Sequence, residues 1–220
     1  MLQLSSKTGE VITESFDYDG GRCVSVYVPR RAVEAIVFAG DGQLIASWGA
    51  EVERAGAPAT MVVGVHRPAD ETERLREYSL GFDPERFTAH ERFFTDQVPI
   101  WIAAAFGVSM PVKRTAVMGV SASGELAVAL GLRHPELYGA ILCASPGAGY
   151  RPPAELSPPI PHAYFVAGDQ EPFFRDNAAR WVHALRAAGT EVVATERRGT
   201  HGGPFWREEF PLMAKWAFGT

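Results

Sequence analysis

No apolar run in this chain approaches bilayer-spanning length, and its lysines and arginines are scattered rather than grouped. The first absence argues against a membrane helix. The second, with a formal net charge of −5, argues against a nucleic-acid groove or an anionic membrane surface. Cysteine is scarce, with Cys23 and Cys143 alone. That excludes the dense disulfide framework of small secreted domains, and both thiols are expected to be buried and reduced. Met1-Leu2-Gln3-Leu4-Ser5-Ser6-Lys7 lacks the apolar stretch of a secretory signal, so a cytoplasmic location is expected. No Cys/His group has metal-ligand spacing and no Gly-rich nucleotide fingerprint is present, so neither a metal nor an organic cofactor is expected. Internal repeats are missing as well.

What is present suits a globular enzyme-sized unit. With 220 residues, 46% of them hydrophobic and 21% charged, residues 1–220 are expected to form a single well-cored domain. Val24-Ser25-Val26-Tyr27-Val28 alternates as a half-exposed strand would. Segments 35–39, 60–65, 116–119, 140–144 and 163–167 are short and almost continuously apolar, the habit of parallel strands buried on both faces, and 192–194 reads as a last strand. Helices are expected over 43–54, 86–106, 125–132 and 177–188, the last stopped by Gly189. Such alternation predicts an α/β architecture, a mostly parallel sheet flanked by helices on both faces. The proline-rich stretch 151–161 cannot be a central strand or a helix interior. It is expected to cross the top of the sheet as a loop, where it would be placed to wall a pocket.

The most informative stretch is Gly119-Val120-Ser121-Ala122-Ser123-Gly124, where an apolar strand runs straight into a helix. A serine on such a turn holds its hydroxyl above the sheet edge, and the turn is tight enough to require small neighbours two residues away on either side. Ser121 is therefore the candidate nucleophile. The helix behind it favours a developing oxyanion, with the Ala122 N–H as one donor.

A serine hydroxyl needs an imidazole to take its proton, and the imidazole needs a carboxylate to fix its tautomer. In this chain order the base comes last. His162 precedes a strand and His183 falls within a helix, whereas His201 sits in a glycine-flanked loop after the last strand. His201 is the candidate base. Asp169 and Glu171 both lie beyond the strand 163–167, and either could reach it. The second oxyanion donor is expected from the loop Gly40-Asp41-Gly42-Gln43 after an early strand, as the N–H of Gln43.

With these residues placed, the chain resembles the putative-esterase family that includes enterochelin esterases, esterase D-type enzymes and feruloyl esterase domains. The resemblance runs from about Val24 to Trp216. Asp41-Gly42-Gln43 looks like that family's oxyanion loop, and Arg74-Leu75-Arg76-Glu77-Tyr78 is similar to its Arg-x-x-Glu-Tyr segment. Gly119-Val120-Ser121-Ala122-Ser123-Gly124 corresponds to its Gly-x-Ser-x-Gly-Gly, with Ser123 the departure. Gly168-Asp169-Gln170-Glu171 is similar to its Gly-x-x-Asp and puts Glu171 at the acid position. Gly199-Thr200-His201, followed by Trp206, resembles its Gly-Gly-His and downstream Trp.

The resemblance implies an α/β-hydrolase fold with little or no cap domain, and a serine esterase with no cofactor. Arg74, Glu77 and Trp206 would support the site without doing chemistry. The expected partner is a small-molecule ester, whose acyl group the aromatics Phe173, Phe174, Phe205 and Trp206 would suit if apolar or aromatic. Neither nucleic acid nor membrane is expected as a partner, and homo-oligomerisation is left open. Two other readings share the scaffold: acyl transfer to an alcohol in place of water, and a non-catalytic binding protein. The second gives no reason for nucleophile, base, acid and oxyanion loop to occur together.

Overall fold

The apolar runs are strands of one sheet. In the computed structural model, which describes residues 8–219, they are β1 (Glu10–Phe16), β2 (Arg22–Val28), β3 (Ala35–Ala39), β4 (Thr60–Val65), β5 (Thr115–Val120), β6 (Ala140–Ala144), β7 (His162–Gly168) and β8 (Val192–Arg197). The reading of the opening residues 1–7 falls outside the described residues. Strand order is β1-β2-β4-β3-β5-β6-β7-β8. From β4 to β8 every neighbouring pair is parallel, and β1 and β2 pair antiparallel at one end. This is the α/β-hydrolase sheet.

Side chains alternate between the sheet's two faces. Ile36 and Phe38 of β3 enter one core with Phe87, Phe94 and Ile102, while Val37 enters the other with Trp48 and Phe210. Helices α3 (Glu71–Tyr78), α4 (Pro84–Arg92), α5 (Val98–Phe106), α6 (Ala122–Arg133) and α7 (Pro172–Ala187) contribute to the first core. The second is covered by α1 (Gly42–Ile45), α2 (Gly49–Arg54) and α8 (Gly203–Phe218). At about 1.5–3 kcal/mol for each fully buried large apolar side chain, these two layers supply the main stabilising contribution.

Several expected elements take a different form. The half-exposed strand 24–28 is β2, which is largely buried because it lies inside the sheet between β1 and β4, with Val24 and Val26 in one core and Tyr27 in the other; the exposed edge is β1. Helix 43–54 is broken by a tighter turn over Ala46–Trp48. Close contacts fix the start of each piece: a Cβ on Gly42 would lie 2.0 Å from the Gly64 carbonyl oxygen, and one on Gly49 would lie 2.2 Å from the Tyr27 ring. Helix 86–106 starts at Pro84 and widens into a π-turn over Phe93–Gln97. Pro99 has no N–H to give and its ring would clash with the carbonyl one turn back, so the wider turn accommodates it.

Helix 177–188 begins five residues early at Pro172, a residue suited to the first helical position. The proline-rich stretch does not cross the top of the sheet. Because β6 and β7 are parallel, it must run the sheet's full height, and Leu156 and Ile160 pack against the first core on the way. Cys143 is buried but Cys23 is only partly so, and both are free. Their strands are separated by β4, β3 and β5, about 19 Å at the usual strand spacing. Among the described residues no helix is long and apolar enough to cross a membrane.

Candidate active site

In open parallel sheets, loops at the strands' C-terminal ends converge on one crevice. Here the loops after β3, β5, β6, β7 and β8 bring Asp41, Ser121, Ser145, Glu171 and His201 to that edge.

Ser121 occupies the turn between β5 and α6 with φ 55° and ψ −123°, a conformation an L-residue adopts only at a cost of about 1–3 kcal/mol. The neighbours make the turn possible. A Cβ on Gly119 would fall 1.8 Å from the Ser123 carbonyl oxygen, so only glycine fits there. Ser123, the departure from the family pattern, is buried; its hydroxyl accepts from the Val120 N–H at 2.9 Å and donates to the Val120 carbonyl at 2.8 Å. It braces the turn that a glycine would leave unbraced. Ala122 is the first residue of α6, where an N–H has no acceptor within the helix.

Ser121 Oγ lies 3.0 Å from Nε2 of His201, and His201 Nδ1 lies 2.6 Å from Oε2 of Glu171. The three groups form a continuous line. Asp169 is turned elsewhere, accepting from the Gly199 N–H at 3.0 Å and so tying the β7 turn to the β8 loop. Glu171 is buried, and its other oxygen accepts from the Ser145 hydroxyl at 2.5 Å and the Gly168 N–H at 2.6 Å. Burial raises the carboxyl's pKa, but hydrogen bonds from His201, Gly168 and Ser145 outweigh it and hold the group below the ordinary range. The His201 ring is sandwiched: Phe174 stacks on it at 3.6 Å and Trp206 meets it edge-on at 4.7 Å.

Asp41 is left-handed at φ 50° and buried. Arg74 clamps its carboxylate with two bonds of 2.9 and 2.7 Å, and the Tyr78 hydroxyl accepts from its N–H at 2.8 Å. Burial works against the Arg74 charge, but the bonds and charge of Asp41, together with Glu71 and Tyr78, raise its pKa on balance. Gln43 follows as the second residue of α1, its side-chain oxygen accepting from the Arg67 N–H at 3.1 Å. Glu77 does not join this loop. It is wholly buried on the other side of α3, held by Arg22 at 2.8 Å and Arg86 at 2.9 Å.

Two clefts meet at Ser121. The polar one, about 510 Å³, is lined by Gln43, Arg67, Glu71, His201 and Trp206. The other is walled by Leu75, Phe82, Phe173 and Phe174, with Ser79 and Glu125 beside them. The proline-rich stretch lines neither. His162 stands at the opposite end of its strand, edge-on to Trp216 at 4.8 Å, and His183 is exposed on α7. Phe205 is a core residue, packed against Gly199. Sequence reading passed over Ser145 and Glu125. The available signal for Ser145 was weak: a lone serine directly after an apolar strand in Ala144-Ser145-Pro146.

The family model described as "Putative esterase" matches residues 37–182, more than half the chain, a segment that takes in Gln43, Arg74, Ser121 and Glu171 and ends before His201. Among solved structures the chain is similar to a ferulic acid esterase, at 15% identity and a TM-score of 0.73, over 96% of this chain and 97% of that one. It is similar to the enterobactin esterase of Shigella flexneri at 18% identity and a TM-score of 0.75, over 94% of this chain but 59% of that one. A third likeness is to S-formylglutathione hydrolase from Staphylococcus aureus, at 11% identity and a TM-score of 0.70, over 98% and 100% of the two chains. At these identities the structural likeness speaks for the fold. Comparison with curated protein sequences gives no match. The chain belongs to the putative-esterase family of α/β-hydrolases and is a carboxylic-ester hydrolase.

Proposed function

We propose that this esterase works through an acyl-enzyme on Ser121, with His201 as general base and acid and Glu171 as the carboxylate that orients it. The observation that carries this reading is the unbroken line from Ser121 Oγ through both His201 nitrogens to Glu171, with steps of 3.0 and 2.6 Å. Glu171 fixes the imidazole proton on Nδ1 and leaves Nε2 free to accept. As Oγ bonds to the ester carbonyl carbon, its proton passes to Nε2. The carbonyl oxygen takes the negative charge, facing the N–H groups of Ala122 and Gln43. Collapse breaks the bond to the leaving alkoxide, which takes the proton from Nε2. Water then repeats the sequence against the acyl-enzyme and frees the acid and Ser121.

The leaving oxygen must come within reach of Nε2, so the leaving group lies in the polar cleft that His201 lines with Gln43 and Arg67. The acyl group then takes the cleft walled by Leu75, Phe82, Phe173 and Phe174, which suits an apolar or aromatic acyl group.

Ser121→Ala tests the reading. It removes one oxygen from a surface turn, so thermal unfolding should be unchanged while ester cleavage falls by several powers of ten. A fluorophosphonate probe should label the wild type at Ser121 and leave the variant unlabelled. A variant of wild-type activity and stability would refute the assignment.

A further inference from the structure

Ser145 is a buried hydroxyl bonded to the candidate acid Glu171 that the mechanism above does not use. It sits at the end of β6 with φ 51°, fully buried, its N–H bonded to the Val166 carbonyl at 2.8 Å. Its oxygen lies 2.5 Å from Oε1 of Glu171 and 2.9 Å from Nε1 of Trp206. An indole N–H can only donate. The Ser145 oxygen must therefore accept from Trp206, and its own hydrogen is directed at Glu171.

We infer that Ser145 is a positioning residue of the catalytic line: its hydroxyl, aimed by the Trp206 N–H, holds Glu171 ionised and in the rotamer that reaches His201. This rests on the triad reading and extends it by two members, from Trp206 through Ser145 to Glu171. The carboxylate then receives three donors, Ser145 and the Gly168 N–H on one oxygen and His201 on the other. A buried carboxylate so satisfied cannot swing away from the imidazole without leaving two donors unpaired, which in a desolvated site is costly. The left-handed backbone at Ser145 serves the same end, because it turns a side chain at the end of a parallel strand toward the neighbouring β7 loop. On the elements packed around Glu171, other charges are committed: Asp169 to the Gly199 N–H, Arg175 to Glu196, and Arg197 to Glu209. Among the described residues His201 is then the titratable group that Glu171 contacts.

The test compares Ser145→Ala with Ser145→Gly, since glycine keeps the left-handed backbone unstrained while both variants lose the hydroxyl. Rates are read on a p-nitrophenyl ester across pH, with thermal unfolding followed in parallel. Both variants should lose roughly tenfold in kcat with KM little changed, the loss expected of one hydrogen bond. In both, the acid limb of kcat/KM should move to higher pH, because a carboxylate short of one donor holds the imidazolium proton more tightly. Trp206→Phe should shift the limb in the same direction and by less. A folded Ser145→Gly with the wild-type kcat and acid limb would overturn the inference, since only the backbone would then matter, even if Ser145→Ala were impaired. Labelling of the wild type with a fluorophosphonate separates the two failures: labelling at Ser121 with an unaffected Ser145→Gly sinks the role of Ser145 alone, and no labelling at Ser121 sinks both.

Discussion

Glu171 meets Nδ1 of His201 at 2.6 Å, although Asp169 stands two residues nearer the strand exit. The extra methylene of glutamate, and a turn whose Glu171 N–H bonds back to the Gly168 carbonyl at 3.3 Å, let the later residue reach across. Glu171→Gln should reduce turnover by roughly three to four powers of ten, because a neutral amide no longer enforces the tautomer. Asp169→Asn should cost tenfold or less, a loss of loop placement rather than of charge. Steady-state rates on one activated ester settle the point, and a reversed ranking would move the acid to Asp169.

The Arg74–Asp41 clamp sets a second expectation. Both side chains are buried, so Arg74→Ala leaves the Asp41 carboxylate the longer Arg67 contact of 3.8 Å in place of its clamp, and should cost about 3 kcal/mol of stability along with most of the activity. Arg74→Lys is the more telling change. It keeps the charge but gives up the planar fork, so the loop carrying Gln43 loses its register while the ion pair survives. Denaturant unfolding should then show a loss of about 1 kcal/mol or less, with kcat down roughly tenfold and KM little altered. Wild-type kcat in Arg74→Lys would remove the loop's orientation from the list of things the site needs.

The parts of this molecule that could be read in the sequence are those fixed by local chemistry. Strands β3 to β7 are buried on both faces, so their apolar runs stand out without reference to anything else. Ser121 announces itself because its turn requires Gly119 and a following helix, all within a few residues. The features missed depend on distant partners. Strand β1 alternates too weakly to be seen, since both of its faces are exposed. Helix α8 opens at Gly203-Pro204 and carries Pro211 in its interior, so local propensity speaks against a helix that packing of Phe210 and Met213 sustains. Ser145 takes its meaning from Trp206, 61 residues on. The segment Arg74 to Tyr78 points two ways: Arg74 and Tyr78 face Asp41 and its loop, while Glu77 faces Arg22, and no local pattern separates them.

That second face of α3 predicts a pH effect on stability. His90 is fully buried beside Glu77, with Nδ1 3.6 Å from the carboxylate, and among the described residues neither ring nitrogen has a hydrogen-bond partner. Burial holds its pKa down at about 4, against the pull of Glu77 and with Arg22 and Arg86 adding to the depression. Between the ordinary value near 6.5 and about 4, the unfolded chain binds a proton that the folded chain refuses, so stability falls as pH falls through that window. The group's share is about 3 kcal/mol at the acid end. Urea titrations at pH 7.5 and 4.5 should show the wild type losing about 2–3 kcal/mol more than His90→Phe, which fills the same space without a titrating group. Equal losses in the two proteins would rule His90 out.

The aromatic cleft makes the sharpest claim about substrate. Phe82 and Phe173 are each 56% exposed although both are large and apolar, and they face Ser121 across one cleft with Leu75 and Phe174. Side chains that exposed contribute little to folding, so Phe82→Ala and Phe173→Ala should change stability by about 0.5 kcal/mol or less. Their apolar surface is gained back only when something covers it. An acyl group that buries some 40–60 Å² of each ring would draw about 1–1.5 kcal/mol from it, close to tenfold in kcat/KM. A two-carbon acyl group is too short to touch either ring. On a graded series of p-nitrophenyl esters, each variant should therefore match the wild type on acetate and fall behind by up to roughly tenfold on octanoate and phenylpropionate. The deficit should grow with acyl length and sit mainly in KM, since the contact is made equally in ground and transition states. A uniform loss on every ester would mean that the rings act on the catalytic line through Phe174 and His201. No loss on any would place the acyl group in the polar cleft instead.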